Sequence, residues 1–262
     1  MRKHLPKDYF SHLWRAIIEF DMLAPGDRVL IGLSGGKDSV FLTYALSLIR
    51  QHLPFSIDLA AYTLDPMFTP DFDLSPLADF CSRLDIPFST EQFNIAGIIE
   101  KNHGNDPCFS CAFFRRGAVN NFAVKHGFNK VALAHHHDDA VETFFMGLLY
   151  SGQLRTFLPV THLDRTKLTV IRPLIYFREK KLVGTSRLHG FTPIPSPCPF
   201  NGKTKRQEIK EMIRDLQKNN KAVYTHLAAA MRADAAMELW PPEPGRAEMK
   251  QKFVSFWNKK DR

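Results

Sequence analysis

Residues 29–39, Val29-Leu30-Ile31-Gly32-Leu33-Ser34-Gly35-Gly36-Lys37-Asp38-Ser39, carry an apolar run straight into a small, polar, glycine-containing turn. Beyond it Val40, Phe41, Tyr44, Ala45 and Leu48 recur at helical spacing. The pattern reads as strand, tight loop, helix. Gly35 and Gly36 let the backbone approach a ligand without a Cβ in the way. The freed N–H groups and the helix N-terminus then face an anion. Lys37 adds a mobile positive charge, and Ser34 and Ser39 add hydroxyl donors. The spacing differs from G-x-x-x-x-G-K-[ST], because only two residues separate Gly32 from Gly35.

Strand and helix patterns continue to alternate over the first 95 residues or so. A helix is expected over 8–22 (Phe10, Leu13, Trp14, Ile17, Ile18), strands over 28–33, 56–64 and 88–93, and helices over 38–51 and 74–84. Such alternation predicts an α/β fold, doubly wound, with a mostly parallel sheet and helices on both faces. Ligands of these sheets sit off the carboxyl ends of the strands, where the Ser34–Ser39 loop, Thr63 and Asp65 fall. Thr63 and Asp65 either shape a nucleotide pocket or simply end their strand. Further on come a helix over 112–126, a strand over 129–134 and a helix over 139–150. Short extended pieces follow between 157 and 175, with helices over 178–189, 205–219 and 222–239. Arg206, Lys210, Arg214 and Lys218 recur every fourth residue of one of these, either as a solvated face or as a phosphate-contacting ridge. The expected organisation is a nucleotide-binding domain over 1–200, a C-terminal helical extension over 201–240, and a linker with a short tail helix over 241–262.

The chain has 262 residues and four cysteines: Cys81, Cys108, Cys111 and Cys198. That is too few for a disulfide scaffold. Cys81 shares an apolar helical stripe with Leu77 and Leu84 and reads as core. Cys108 and Cys111 form a C-x-x-C within Asn102–Cys111, which alone is half a zinc site, a redox pair or two buried thiols. Cys198 stands on a loop framed by Pro193, Pro195, Pro197 and Pro199. Three thiolates would leave one coordination position open, on a tetrahedral zinc or on one iron of a 4Fe–4S cube. The net charge of +8 favours an anionic partner such as RNA. No apolar run reaches the roughly 18 residues of a membrane span. The basic N-terminus lacks the apolar core of a signal peptide, so a cytoplasmic location away from membranes is expected.

The Ser34–Ser39 hexapeptide resembles the S-G-G-x-D-S signature of the PP-loop, or N-type, ATP pyrophosphatases. The order S-G-G-K-D-S, C-x-x-C with Arg115-Arg116-Gly117, H-H-x-D-D at His135–Asp139, I-R-P-L at Ile171–Leu174 and a late lone Cys198 resembles the TtcA-type tRNA 2-thiocytidine synthetases over residues 8–235. The resemblance implies an adenine nucleotide alpha-hydrolase-like fold. It implies an enzyme that adenylates the C2 oxygen of a cytidine, at position 32 of the anticodon loop, and replaces that oxygen with sulfur. By the same resemblance Ser34, Gly35, Gly36, Lys37, Asp38 and Ser39 bind ATP, with Lys37 and Asp38 also catalytic. Cys108, Cys111 and Cys198 hold a 4Fe–4S cluster, Arg115 is the basic residue after the C-x-x-C, and Asp138 is an acid beside ATP and Mg²⁺. The implied partners are tRNA and a sulfur donor such as a cysteine desulfurase, and a homodimer is allowed. Two readings compete: a PP-loop thiolase acting on a uridine or a small molecule, and a non-catalytic iron–sulfur, ATP-binding RNA-binding protein. The chain departs from the family in three places, one being Pro195-Ser196-Pro197 before Cys198 where the family has a second cysteine-bearing sequence. His137 replaces an arginine, as a metal ligand, a titratable group or the partner of a carboxylate or carbonyl. Cys-Phe-Ser-Cys-Ala-Phe-Phe over 108–114 is more aromatic than the family pattern.

Overall fold

The computed structural model describes residues 4–70, 72–101, 107–195, 197–199, 204–232 and 245–257. Helix α1 (Lys7–Glu19) buries Leu13, Ala16 and Ile17. Ile18, one residue beyond that stripe, falls off the apolar face and is 68% exposed. Strand β1 (Arg28–Gly32) leads into α2 (Lys37–Arg50), which is buried continuously from Ser39 to Ile49. A helix covered on every side needs apolar residues all round, and Val40 to Leu42 and Tyr44 to Leu46 supply them. Then come β2 (Asp58–Asp65), α3 (Ser75–Ser82), β3 (Phe88–Gln92), the unanticipated α4 (Ile95–Lys101) and α5 (Pro107–Lys125). The chain continues through β4 (Lys130–Ala132), α6 (His137–Ser151) and the hairpin β5 (Val160–Leu163) and β6 (Leu168–Ile171). It ends with α7 (Glu179–Leu182), α8 (Ser186–His189), α9 (Lys205–Asn219), α10 (Val223–Ala230) and α11 (Arg246–Trp257).

The six strands lie in the order β3-β2-β1-β4-β6-β5. Every pairing is parallel except that of β5 with β6. The chain winds outward from β1 to β3, then returns to lay β4 against the other side of β1. The successive residues of β1 feed opposite layers, as the pleat requires. Val29 and Ile31 join one core with Phe41, Ala61 and Phe177. Leu30 joins the other with Tyr62, Val119, Phe122 and Val131. A smaller core of Val141, Ile209, Ile213 and Tyr224 fastens α9 and α10 to α6. Among the described residues no helix is long and apolar enough to cross a membrane.

Several expected boundaries move. The C-x-x-C lies within the first two turns of α5, which starts at Pro107 rather than near 112; residues 102–106 of that stretch fall outside the described residues. The single helix expected over 178–189 is two short turns, split where Gly184 takes φ +78°. The helix expected over 222–239 ends at Ala230. The linker at 241–244 is outside the described residues, while 246–257 is helical. Cys81 is fully buried, and burial pushes its thiol up to about 12.

Two polar networks hold this frame. Below the sheet, buried Asp27 accepts from Lys130 Nζ (2.7 Å), Asn129 Nδ2 (2.8 Å) and the Ala24 amide (2.6 Å). Lys130 Nζ also donates to the Met22 carbonyl at 2.8 Å. This ties the turn before β1 to β4. On the far side of the molecule Arg206 of α9 reaches Asp139 (3.4 Å) and Glu142 (3.2 Å) of α6. Lys210 pairs with Glu179 at 2.5 Å. The basic stripe of α9 is thus half consumed by internal pairing, and Lys218 pairs with Asp215 at 2.7 Å on its own helix.

Asp27→Ala strands the Lys130 charge in the interior and is expected to cost about 3–5 kcal/mol in urea unfolding; a loss below about 1 kcal/mol would show that water satisfies the amine. Burial, reinforced by the Asp139 charge, pushes the Glu142 carboxyl up to about 7 although Arg206 and Lys210 oppose it. The folded state therefore retains a proton that the unfolded chain releases near the ordinary 4.5, and stability falls as pH rises from there through about 7. Glu142→Gln is expected to flatten that slope in urea midpoints collected across the interval, and an unchanged slope would assign it to another group.

Candidate active site at the switch point of the sheet

The loop between β1 and α2 is cross-braced by its own serines. The Ser34 amide donates to Ser39 Oγ (3.1 Å), the two hydroxyls are 3.0 Å apart, and Ser39 Oγ donates to the Gly36 carbonyl at 3.0 Å. Gly35 sits at φ +79°, which favours glycine, and a Cβ there would meet Ile194 at 3.4 Å. Gly36 stands at the N-cap of α2 in an extended conformation, with no side chain to cap the helix. The N-terminus of α2 is left for an anion. Thr63, fully inside, donates its hydroxyl to the Leu33 carbonyl and so anchors the loop from beneath.

Lys37 Nζ contacts Asp38 Oδ2 at 2.8 Å and Glu179 Oε1 at 3.4 Å. Burial works against its charge, but the two carboxylates outweigh burial and hold its pKa above the ordinary lysine value. The other Asp38 oxygen, Oδ1, is buried without a hydrogen-bond partner among the described residues.

The His135–Asp139 segment begins α6. His136 is the N-cap: its Nδ1 accepts from the Asp139 amide (3.4 Å), and its own amide donates to Asp139 Oδ2 (2.8 Å), a reciprocal capping box. Asp138 is buried and receives Arg178 Nε on both oxygens (3.2 and 3.1 Å) and the Glu179 amide (2.8 Å). Burial raises its pKa, yet these donors prevail and keep it below the usual carboxylate range. The Arg178 guanidinium lies 3.4 Å from the centre of the Tyr224 ring, which adds a cation–π contact from α10. His137 packs 6.2 Å from the same ring, its Nδ1 unpartnered among the described residues and its pKa lowered chiefly by burial. His135 lies against Phe157, and burial drives its pKa down despite Asp139. Arg172 of the I-R-P-L segment donates to the Leu158 carbonyl (2.6 Å) and Thr161 Oγ1 (3.1 Å), bracing the β5–β6 edge.

Between these loops opens a cavity of about 420 Å³. Its walls are Ser34, Gly36, Asp38 and Ser39 from the loop, Tyr62 and Leu64 from β2, Ala112, Arg115, Arg116 and Val119 from α5, and Leu133 to His135 with Asp139 beyond β4. Gly35, Lys37, Thr63 and Asp138 are not on the lining; they brace what is. The acids on the wall are Asp38 and Asp139, while Asp138, which the sequence singles out, lies behind it against Arg178. The H-x-x-D spacing of a capping box was the available signal, since it commits Asp139 to the helix mouth.

Helix α5 roofs the cavity and carries two of the thiols on its first two turns. Cys108 is exposed and Cys111 half-buried. Burial raises the Cys111 pKa, Arg115 opposes the rise, and Cys198 and Cys108 reinforce it as neighbouring negative charges. Cys111 therefore has both Cys108 and Cys198 as electrostatic neighbours. The loop that brings Cys198 here is pinned to the nucleotide loop, because the Ile194 amide donates to the Gly35 carbonyl at 3.0 Å. Among the described residues no three His, Cys, Asp or Glu side chains converge closely enough to hold a single metal ion. Thiolates of a cube bind separate irons and need no such convergence.

Residues 11–216 match the PP-loop domain family. The chain is 34% identical to the tRNA-cytidine(32) 2-sulfurtransferase of Geobacter metallireducens, over 83% of this chain and 86% of that protein. It is 32% identical to the protein of the same name from Dichelobacter nodosus, over 94% of each. Among solved structures, the U34-tRNA thiolase NcsA from Methanococcus maripaludis with its 4Fe-4S cluster superposes with a TM-score of 0.71. That likeness covers 85% of this chain and 77% of NcsA at 20% identity, and so shows a shared fold. With this loop, sheet order and extent of identity, the chain belongs to the PP-loop ATP pyrophosphatases and, within them, to the family of the tRNA-cytidine(32) 2-sulfurtransferases.

Proposed function

We propose that this chain uses ATP to adenylate the C2 oxygen of a cytidine in tRNA, at position 32 as in its relatives' names, and replaces that oxygen with sulfur. One observation carries the reading: a single cavity is walled by the nucleotide loop on one side and by the thiol-bearing helix on the other. Adenylation and sulfur delivery must act on one atom in turn, so both sets of groups have to reach it.

In this reading ATP lies with its phosphates on the Ser34–Ser39 loop and the N-terminus of α2. The C2 oxygen attacks the α-phosphate and pyrophosphate leaves. Lys37, held charged by Asp38 and Glu179, stabilises the departing phosphates. Asp38, whose buried Oδ1 has no partner among the described residues, would hold Mg²⁺ with help from Asp139 on the same wall. Arg115 and Arg116, on the cavity wall, orient the adenylated base. Asp138 acts at one remove, by fixing Arg178 and the start of α7 beneath Lys37 and Glu179. Cys108, Cys111 and Cys198, a donor set of three thiols, would hold a 4Fe–4S cluster, which would supply a site for the incoming sulfur. Displacement by sulfur expels AMP. A target base in an anticodon loop is unpaired and within reach of such a cavity.

Anaerobic purification with iron and sulfide assay tests the cysteine set. About four irons and four sulfides per chain are expected, lost in Cys198→Ala together with thiolation, while ATP binding survives. Stoichiometric zinc in the wild type would remove the cluster from the scheme. Lys37→Ala should lower pyrophosphate release by about a hundredfold; Glu179 keeps Lys210, so the fold is expected to persist. Nucleoside mass spectrometry of tRNA from a deletion strain should show loss of 2-thiocytidine, and loss of a thiouridine instead would reassign the substrate.

A further inference from the structure

Helix α5 carries more on its exposed surface than the proposed chemistry uses. Phe109 and Phe113 are 63% and 57% exposed and lie side by side, with centroids 6.5 Å apart and planes within 20° of parallel. Two large rings so exposed and side by side are unusual on a surface that binds nothing. They are also firmly backed. Phe114 meets Phe113 edge-on at 5.5 Å, Phe93 packs on Phe114 at 5.6 Å, and Phe114 itself rests on the inner apolar core.

Their placement points to an occupant. Phe109, Phe113 and Arg116 stand at i, i+4 and i+7, so the rings continue in a line to an arginine on the cavity wall. Cys108, Cys111 and Arg115 form the adjacent stripe at i, i+3 and i+7. Arg115 and Arg116 are exposed, and α5 has no acidic residue anywhere along its length. Near-parallel aromatic rings beside two exposed arginines suit a strand of unpaired nucleotides, whose bases stack and whose phosphates need cations.

We propose that Phe109 and Phe113 form a stacking platform for unpaired RNA bases flanking the target nucleotide, holding the loop open against the cavity mouth. The proposal rests on the tRNA-thiolation reading. The rings act as positioning residues: they seat neighbouring bases while Arg115 and Arg116 meet the backbone and the target base enters the cavity.

The test uses full-length, anaerobically purified protein and two RNA probes, an anticodon stem-loop and a fully paired duplex of equal length. Phe109→Ala/Phe113→Ala is expected to weaken stem-loop binding by about tenfold or more, leaving duplex binding, iron content and ATP binding unchanged. Phe109→Tyr/Phe113→Tyr should restore stem-loop affinity, since a tyrosine ring stacks equally well. Unchanged stem-loop affinity in the alanine variant overturns the proposal, as does an equal loss on both RNAs. Conversion of a wild-type dimer to a monomer in light scattering, with stem-loop affinity retained, would assign the rings to a second copy of the chain instead. Sulfur incorporation by the wild type is scored separately: its absence would sink the thiolation reading, while the comparison of stem-loop with duplex still decides the stacking.

Discussion

Because β1 pairs on one side with β2 and on the other with β4, two loops far apart in sequence open side by side. One is the glycine loop after β1 and the other is the histidine–aspartate segment after β4. The strand order reverses at this point, and a crevice off the carboxyl ends is the geometric result. The apolar content of β1 makes the placement obligatory. Val29 and Ile31 must be covered on one face and Leu30 on the other, so β1 has to lie centrally with helices above and below. The buried Asp27–Lys130 pair then fixes the opposite ends of β1 and β4.

Everything chemical is hung on that crevice by a few directed contacts. Thr63 holds the nucleotide loop from below, and the Ile194 amide holds it from the side. The second contact also fixes where Cys198 can be, since prolines at 193, 195, 197 and 199 stiffen its loop. Helix α5 closes the crevice through Val119, Phe122 and Ala123, which face inward. That packing leaves its N-terminal turns, with two thiols, two arginines and the exposed rings, projecting over the opening.

The charges around the cavity are arranged in pairs that leave few free. Asp138 is occupied by Arg178, Lys37 by Asp38 and Glu179, and Asp139 by His136 and Arg206. Such pairing holds charged groups in a desolvated site at tolerable cost. Among the described residues, one oxygen of Asp38 and one nitrogen of His135 remain buried and unsatisfied beside the cavity. Unsatisfied polar atoms of that kind mark where a ligand or ion belongs. The extension formed by α9 and α10 takes part directly, because Arg206, Lys210 and Tyr224 reach back to the residues that brace the site.

Local chemistry made much of this readable in the chain itself. The strand–glycine loop–helix unit, the alternation that predicts a parallel sheet, and the core role of Cys81 all depend on near neighbours and on periodicity, which a sequence displays directly. The start of α5 is not legible from periodicity, because Cys108 to Phe114 carry no regular apolar period and the helix reaches back to Pro107. What Asp138 and Asp139 each meet is decided by the tertiary structure: Arg178 claims the first, while the capping box and Arg206 hold the second at the cavity wall. The neighbourhood of Cys198 and Cys111 is likewise a product of folding. Periodicity carries no information about which loops meet across a sheet, and that depends on the central position of β1 and on one backbone hydrogen bond from Ile194 to Gly35.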